Sequence, residues 1–461
     1  MLLPTRTLLS VIVSLSSGLW LNVALADETP TAKPQYCPAR IAELNDRDKE
    51  IAKVAWQYFE NNIQSETGLV NAVDNYPSTT MWDVGSSLAA FIAAEKLGLI
   101  SRDRFDRMTG HLLNTLEHLD LFKGEAPNKV YNTQTGQKVD YRNKPSERGI
   151  GVSTLDLGRL VSWLNILSCL HPQHKDKVRK VLESWNFCRL LEHNEMYGLK
   201  LDDNTGGVEI QQEGRLGYEQ YAGKAFQQLG FDMSLSARYH NQYATKAEVS
   251  GVELLVDSRD ASTLGAHNYV VSESYAMDAL EHGIDDENKP LLENIYKVQQ
   301  RRWEQSGTVT AVSEDNLDRK PYFVYNTIFS DDIPWAAITD KGEDMSDMRS
   351  LSVKAAFSMA YLFPDREYSK VLRDAVMDAR NPKGGWYSGI YEDSAKGFNK
   401  ATTANTNGVV LSAFLHKLYG PLNQQCDKCG KGASLSDDFL KFNQDKKACL
   451  AKLKTASPYS P

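Results

Sequence analysis

Acidic residues recur along the chain at points where a loop leads into an amphipathic helix. The segments are Thr80-Met-Trp-Asp83, Ser153-Thr-Leu-Asp156 and Ser272-Glu-Ser-Tyr275. Cleavage of a glycosidic bond requires a pair of carboxyl groups, one protonated to assist the leaving oxygen and one ionised to activate water or attack carbon. In the first turn of a helix, exposed backbone N–H groups and the helix dipole favour the ionised form. Asp83, Asp156 and Glu273 are therefore candidate catalytic residues for sugar hydrolysis.

The same three residues also fit structural roles. Asp83 and Asp156 could act only as capping or first-turn residues of their helices. Asp156 could pair with Arg159, three positions further along the same helix surface. Glu273 follows Ser272 as an ordinary first-turn glutamate would. The distinction depends on whether these carboxylates converge on one cleft.

A further candidate lies in a run of crowded carboxylates. Glu209, Glu213 and Glu219 all fall within the segment 206–221. Carboxylates that share a low-dielectric pocket raise one another's pKa, which is one way to produce a general acid. We therefore add Glu219 to the candidate catalytic residues, although the same run on a solvated loop would have no catalytic role.

The candidate substrate-binding residues are mostly aromatic. Their rings could stack on sugars, because they offer flat area with polar edges. Glycines at positions 384, 385 and 389 indicate a loop around the later members of the set. The alternative is that these rings belong to the hydrophobic core. The predicted substrate-binding residues are Trp82, Tyr275, Trp386, Tyr387, Tyr391 and Glu392.

Other mechanisms find little support in the sequence. It contains no GxSxG elbow, no Walker-type glycine loop and no HExxH pair, and its 9 histidines are scattered without ligand spacing. We therefore expect neither a metal site nor a cofactor. The net charge of −8 argues against nucleic acid or an anionic membrane surface as partner. A neutral oligo- or polysaccharide fits better, and the oligomeric state stays open.

Residues 1–26 have the pattern of a secretory signal peptide. Arg6 precedes an apolar run over 8–25, and Ala24-Leu25-Ala26 supplies a small-x-small cleavage site. The alternative is an uncleaved membrane anchor, but polar residues at 14, 16, 17 and 22 dilute the run. No later stretch approaches the roughly 20 apolar residues that span a bilayer. We expect an exported, periplasmic protein with no membrane insertion after cleavage.

The 6 cysteines stand at positions 37, 169, 188, 426, 429 and 449. An even number in an oxidising compartment predicts disulfides, although the sequence does not choose the pairing. Cys426-Asp-Lys-Cys429 could also be a redox or zinc motif, but no second such pair lies nearby. We favour a structural role in which a disulfide cross-links the tail 421–461 to the rest of the protein, with Cys37 as one candidate partner for a tail cysteine.

Apolar residues at helical spacing predict about eleven helices. They cover 49–62, 82–97, 102–119, 154–170, 175–191, 217–229, 274–282, 289–304, 350–362, 367–378 and 402–418. Strand-like segments are few, namely 251–256 and 308–312. Long polar loops at 123–151, 200–215 and 305–333 are typical of functional loops. We therefore predict an all-α protein in which residues 27–420 form an (α/α)6 toroid, with long loops forming a pocket at one face.

Several segments in order resemble the bacterial envelope family called domain of unknown function 3131. They are Thr80-Met-Trp-Asp-Val-Gly-Ser-Ser87, Gly151-Val-Ser-Thr-Leu-Asp-Leu-Gly-Arg-Leu160, Ser272-Glu-Ser-Tyr275, the segment 310–326 and Thr403-Ala-Asn-Thr-Asn407. That family looks related to the glycoamylase-like domains of cyclic β-1,2-glucan synthases and to endo-β-1,2-glucanases, which have an (α/α)6 toroid. The Ser272 segment is similar to the Ser-Glu-Ser-Ala-Tyr run of the former, with one residue fewer. The resemblance implies a glycan-active pocket.

Together these observations predict an exported glycoside hydrolase. It would act on a β-glucan, β-1,2-linked or of another linkage, or on another exopolysaccharide. Glu273 and Asp156 are the predicted working carboxylates, with Asp83 lining the same pocket. The alternative is a non-catalytic glycan-binding or assembly factor in polysaccharide export, which would need only aromatic surfaces and hydrogen bonds.

Overall fold

The computed structural model describes residues 38–202, 204–264, 266–428 and 435. The predicted signal peptide, most of the tail, and Cys37, Cys429 and Cys449 lie outside these residues. Within the described ranges, no helix is both long enough and apolar enough to cross a bilayer. Export and a periplasmic location therefore stay predictions from the sequence.

Helices dominate the described part of the chain, and each of the eleven predicted helices has a counterpart. The helices are α1 Asp46–Asn62, α2 Met81–Lys96, α3 Arg102–Glu117, α4 Thr154–Leu170, α5 Lys175–Glu183, α6 Tyr218–Gln228, α7 Ala261–Leu264, α8 Ser272–Met277, α9 Asn288–Ser306, α10 Val353–Leu362, α11 Glu367–Val376, α12 Ala404–Tyr419 and α13 Leu422–Lys428. A π-helical turn, Asp278–His282, extends α8. Helix α5 ends well before the predicted boundary at 191, because the chain after Glu183 turns to bury Trp185 and Phe187.

Six of these helices form a closed inner ring. Helices α2, α4, α6, α8, α10 and α12 each pack against the next, and α12 packs back against α2. Helices α1, α3, α5, α9 and α11 lie outside the ring. The last four each stand between two inner helices in chain order, whereas α1 precedes α2 and packs against α12 and α2. The inner helices therefore run in one direction, and their N-termini meet at one end. This arrangement is the predicted toroid.

A β-hairpin takes the place of the outer helix between α6 and α8. Strand β7, Ala244–Val249, pairs with β8, Val252–Asp257, across the turn Ser250-Gly251. Both turn residues have positive φ, 49° and 70°, as a two-residue hairpin turn requires. In β8 Val252, Leu254 and Val256 are buried on one face, and the strand packs against α9. The strand predicted at 251–256 is confirmed here, whereas 308–312 forms no strand.

The prediction of an all-α protein is wrong, since small sheets occupy the loops. The remaining strands are β1 Ser78–Thr80, β2 Val130–Asn132, β3 Gly151–Val152, β4 Leu191–Glu192, β5 Glu195–Leu201, β6 Val208–Gln212, β9 Glu314–Asn316, β10 Phe323–Asn326, β11 Phe329–Ser330, β12 Ile333–Pro334, β13 Ala337–Ile338, β14 Ser350–Ser352, β15 Tyr387–Tyr391 and β16 Phe398–Thr402. Most are short and irregular in spacing, so period-two alternation could not reveal them. Several lead directly into the N-termini of inner helices.

Small residues allow the inner helices to approach closely. An added Cβ on Gly158 of α4 would lie 2.5 Å from the Cβ of Ala222 on α6. An added Cβ on Gly408 of α12 would lie 2.9 Å from the carbonyl oxygen of Ser86 on α2. Neither position has room for a larger side chain, because backbone or Cβ atoms of the neighbouring helix occupy the space.

The end of the described chain is fastened to the ring. Cys426 of α13 forms a disulfide with Cys169 of α4, with a Cα–Cα distance of 5.5 Å. Asn423 donates a 2.9 Å hydrogen bond to the Ser162 hydroxyl. Cys188 is also disulfide-bonded. The predicted cross-linking role of a tail cysteine therefore holds for Cys426, and a bond to Cys37 falls outside the described residues.

Trp386 belongs to the core, so its predicted role in stacking on sugar is wrong. Its side chain is 0% exposed, packs edge-on against Phe357 and donates a 3.1 Å hydrogen bond to the Ile51 carbonyl. We expect Trp386→Ala to lower the free energy of unfolding by about 3–5 kcal/mol, because it leaves a large cavity. Urea denaturation measures this change.

Tyr322→Ala is the control, since this aromatic ring is 57% exposed. Its free energy of unfolding should stay within about 0.5 kcal/mol of the wild-type value. Equal stability of the Trp386 and Tyr322 variants would contradict the placement of Trp386 in the core.

Candidate active site

The inner ring brings together the first turns of helices that are far apart in sequence. Asp83 is the third residue of α2 and Asp156 the third of α4, while Glu273, Lys354 and Asn405 are the second residues of α8, α10 and α12. Because these helices run in one direction, the side chains meet at one end of the ring. The predicted convergence of Asp83, Asp156 and Glu273 follows from this geometry.

Hydroxyl caps hold the two aspartates in place. The Thr80 hydroxyl accepts a hydrogen bond from the Asp83 backbone N–H and donates one of 2.8 Å to its carboxylate. The Ser153 hydroxyl accepts from the Asp156 backbone N–H at 3.2 Å. Both are ordinary N-caps, so the capping role anticipated for these segments belongs to the preceding hydroxyl residues. The two carboxylates lie near each other, and Asp83 also lies near Lys354 and Glu273.

Glu273 forms the floor of the site as part of a buried ion pair. Its carboxylate contacts the Lys354 ammonium, and their side chains are 0% and 4% exposed. Asn405 donates a 2.7 Å hydrogen bond to the other carboxylate oxygen, and Ser313 donates one of 3.3 Å to the oxygen that contacts Lys354. Asp315 lies 3.6 Å from the same ammonium. Glu273 is therefore fully partnered, which makes it a fixed anion in the floor.

A second buried cation lies beneath Trp82. Arg159 donates 3.2 Å hydrogen bonds to Glu281 and to Tyr221, and its guanidinium lies 5.1 Å from the centre of the Trp82 ring. The alternative pairing of Asp156 with Arg159 is therefore not formed, because Arg159 turns into the ring towards Glu281. Sequence spacing favoured Asp156 as the partner of Arg159, whereas tertiary packing brings Glu281 to it.

Burial changes the titration of the two cleft aspartates. Loss of water raises the pKa of Asp83 to about 6, with the Thr80 hydrogen bond and the charges of Arg159 and Lys354 acting in the opposite direction. Burial raises the pKa of Asp156 to about 7, and the Glu213 carboxylate raises it further. Both groups therefore titrate near neutral pH, where acid–base catalysis operates.

Glu213 stands at the same helix start as Asp156. Its carboxylate accepts a 2.5 Å hydrogen bond from the Thr154 backbone N–H and one of 3.4 Å from Leu155. Burial raises its pKa, and the backbone hydrogen bonds and the charge of Lys129 limit the rise. Of the crowded run 206–221, this member is the one that reaches the cleft.

Glu314 is a site residue that helix periodicity could not reveal. It lies on β9, and burial together with the Glu273 charge raises its pKa to about 8, against the opposing charge of Lys354. Burial also raises the pKa of the adjacent Asp315 to about 7. The one sequence signal was that both residues fall in the segment 310–326, which carries part of the family resemblance.

Aromatic rings form the walls of the site. Tyr269 stacks on Tyr325 with ring centres 4.3 Å apart, and both lie near Glu314. Trp82 meets Tyr218 edge to face at 5.4 Å. Tyr141, which is 67% exposed, lies near Asp156 at the opening. Of the predicted substrate-binding residues, Trp82 is therefore placed at the site.

Glu219 lies in a separate ion cluster, so the predicted catalytic role is not supported. Arg259 donates two hydrogen bonds to its carboxylate, of 3.1 and 2.5 Å, and two more to Asp257. The Glu219 side chain is 1% exposed. Both carboxylate oxygens are used by a fixed cation, which leaves Glu219 a structural role.

The other predicted substrate-binding residues are occupied by protein contacts. Tyr275 is 2% exposed and stacks on Tyr239, and Tyr391 is 3% exposed and donates a hydrogen bond to Asp318. Tyr387 packs against Phe398. Glu392 pairs with Arg302 and Arg349. The glycines of this segment allow close packing: Gly389 lies against the Leu351 carbonyl of β14, and Gly384 and Gly385 lie against α1.

No group of three or more His, Cys, Asp or Glu side chains in the described ranges is arranged to hold a metal ion. The side chains at this end of the ring include carboxyl groups, the ammonium groups of Lys354 and Lys129, the Arg159 guanidinium and aromatic rings. Such a set can transfer protons, hold a neutral polar ligand and exclude water from part of its surface.

The raised pKa of Asp156 predicts how stability depends on pH. A carboxyl whose pKa is higher in the folded than in the unfolded protein stabilises the fold when protonated, and this contribution is lost as pH rises from about 4 through about 7. Asp156→Asn imitates the protonated form. We expect this variant to match wild type at low pH and to be more stable above pH 7 by about 1–3 kcal/mol, a range reduced for partial contact with water.

Thermal unfolding at several pH values measures this difference. Asp103→Asn is the matched control, since Asp103 is an exposed first-turn aspartate of α3. This control variant should not become more stable than wild type above pH 7. A destabilised Asp156 variant at alkaline pH would contradict the burial argument.

The fold resembles those of several solved structures. A protein described as a putative glucoamylase from Bacteroides caccae has a TM-score of 0.60 and 14% identity, covering 88% of this chain and 98% of that one. An endo-β-1,2-glucanase from Chitinophaga pinensis, in complex with sophorotriose and glucose, has a TM-score of 0.58 and 14% identity, covering 89% and 98%. One from Talaromyces funiculosus, in complex with sophorose, has a TM-score of 0.57 and 11% identity, covering 89% and 90%.

These likenesses establish a shared toroidal fold. No curated protein matches the sequence. The family match begins within α1, ends just after α12 and includes all six inner helices of the ring. Over residues 50–420 the chain matches the family described as protein of unknown function DUF3131, and it belongs to that family.

Proposed function

We propose that this protein is a glycoside hydrolase that cleaves a β-glucan by carboxyl acid–base catalysis. The observation that carries the proposal is the convergence of Asp83, Asp156 and Glu314, each with a raised pKa, at the end of the ring lined by Trp82 and Tyr269. Carboxyl groups that titrate near neutral pH beside stacked aromatic rings are what glycosidic bond cleavage requires.

Glu314 is the proposed proton donor. A general acid must hold its proton at the working pH, and the pKa of Glu314 is about 8. The fixed negative charge of Glu273 favours this protonated form. Glu273, which the sequence made a leading candidate, acts in this proposal through its charge and not by proton transfer.

The proposed base comes from the facing side of the ring. Glu314 lies beside the starts of α8 and α10, whereas Asp83 and Asp156 lie at the starts of α2 and α4. Asp83, with a pKa of about 6, is the more ionised of the two at pH 7. We assign water activation to Asp83 and a supporting position at the sugar to Asp156.

The proposed substrate is a neutral β-linked glucan, with the β-1,2 linkage tested first. Two of the structures with the same fold are endo-β-1,2-glucanases in complex with sophorotriose or sophorose. The net charge of −8 also disfavours a polyanionic glycan. A location outside the cytoplasm belongs to the proposal, supported by the signal-peptide pattern and by the Cys169–Cys426 disulfide.

A non-catalytic glycan-binding protein is the second candidate. The observation in its favour is that both carboxylate oxygens of Glu273 already have protein partners, namely Lys354, Asn405 and Ser313. A binding protein needs the aromatic walls but no proton donor. Only an activity measurement separates the two candidates.

Glu314→Gln and Asp83→Asn test the catalytic assignment. Each keeps the shape of the side chain but removes proton transfer, so turnover should fall by at least about 100-fold while oligosaccharide binding persists. The assay is release of reducing ends from linear β-1,2-glucan and from a panel of other β-glucans and envelope polysaccharides. Glu209→Gln, an exposed carboxyl group of β6, is the control and should keep full activity.

The pH dependence of kcat/KM gives an independent reading. Activity should fall below about pH 6 as Asp83 becomes protonated, and above about pH 8 as Glu314 loses its proton. The residual activity of the Glu314 variant should no longer fall above about pH 8. If wild type binds a member of the panel but cleaves none, the binding-protein candidate is correct; if both variants stay fully active, the assigned residues are wrong.

A further inference from the structure

The small sheet β13–β10–β9 extends outward from the proposed proton donor. In the β9–β10 register Glu314 stands opposite Tyr325, and Asn316 stands opposite Phe323. Residues directly opposite each other in an antiparallel pair project from the same face, as do residues two apart along a strand. Glu314, Asn316, Phe323 and Tyr325 therefore share one face of this sheet.

The other face of the sheet belongs to the protein interior. Asp315 and Val324 stand opposite each other and are 3% and 1% exposed. Val324 packs with Leu317, Ala337 and Tyr391 in a small apolar cluster. The face that carries Glu314 is therefore the one turned to the cleft.

Aromatic rings continue along this face from the cleft to solvent. Tyr325 stacks on Tyr269 at 4.3 Å with an angle of 16° between the rings, and Phe323 meets Tyr325 edge to face at 5.2 Å. Phe323 is 36% exposed. This run of rings begins beside the Glu314 carboxyl group and ends in the exposed phenyl group of Phe323. It presents apolar surface beside polar groups, which is typical of a ligand subsite.

We propose that Phe323 and Tyr325, with the side-chain amide of Asn316, form a distal sugar subsite. The phenyl ring would cover the C–H face of a glucosyl unit beyond those joined by the cleaved bond, and the amide would exchange hydrogen bonds with its hydroxyl groups. This subsite rests on the proposed function for the identity of the glycan, a neutral β-linked glucose chain. It favours long chains over short ones.

Phe323→Ala tests the subsite through binding. Affinity for long linear β-1,2-glucan and for the other β-glucans of the panel is measured by calorimetry in wild type and in the Glu314→Gln background, with sophorose as the short probe. Loss of one stacking contact should weaken binding of the long chain about three- to tenfold and leave sophorose binding unchanged. Tyr322→Ala, which removes an adjacent exposed ring, should leave both affinities unchanged.

Kinetics and stability distinguish a subsite from a structural role. On the long polymer, the Phe323 variant should raise KM by the same factor with kcat unchanged, and its melting temperature should stay close to that of wild type. A fall in kcat together with a lower melting temperature would instead identify Phe323 as a packing residue and overturn the proposal.

The remaining outcomes separate this proposal from the proposed hydrolase activity. If wild type cleaves nothing but binds long glucan in a Phe323-dependent way, the hydrolase proposal fails and the subsite stands. Equal losses for sophorose and the long chain, equal losses for the Phe323 and Tyr322 variants, or no binding to any glucan would overturn the subsite. A change in self-association without a change in glucan affinity would identify a protein-docking surface and also overturn it.

Discussion

The ion pair between Lys354 and Glu273 joins two inner helices at the point where they enter the cleft. With side chains 4% and 0% exposed, neither charge can be compensated by water, so each depends on the other. The hydrogen bond from Asn405 draws α12 to the same carboxylate, and the Ser313 hydroxyl fixes the residue just before β9. One buried pair thus sets the positions of three helix starts and of the strand that carries Glu314.

The electrostatics of the cleft follow from this arrangement. Burial raises the pKa of Asp83, Asp156 and Glu314, because the protein replaces the water that would stabilise their charged forms. Lys354 counteracts the rise for Asp83 and Glu314, whereas Glu273 adds to it. With pKa values of about 6, 7 and 8 for Asp83, Asp156 and Glu314, the three carboxyl groups are neither all protonated nor all ionised at neutral pH. Such a balance suits groups that exchange protons.

Helices and loops contribute differently to the site. The inner ring supplies the floor, where packing at positions such as Gly158 and Gly408 leaves little freedom. The loops supply the walls, through Glu213 after β6, Glu314 on β9 and Tyr325 on β10. Residues on a rigid floor keep their geometry, while loop residues can differ between proteins that share the ring. Specificity for a glycan would therefore reside mainly in the loop sheets.

The amino-acid sequence by itself determined the series of helices and the positions at which the helices that meet in the cleft begin. Helical spacing of apolar residues located the helices, and the Thr80 and Ser153 caps placed Asp83 and Asp156 in first turns, because both signals act within a few residues. Only the tertiary structure decided which carboxylates share a site. It placed Glu219 against Arg259 and Trp386 in the core, and it brought Glu314 to Glu273 from a short strand in a long loop. Burial and charge pairing depend on contacts between distant segments, which no local spacing can encode.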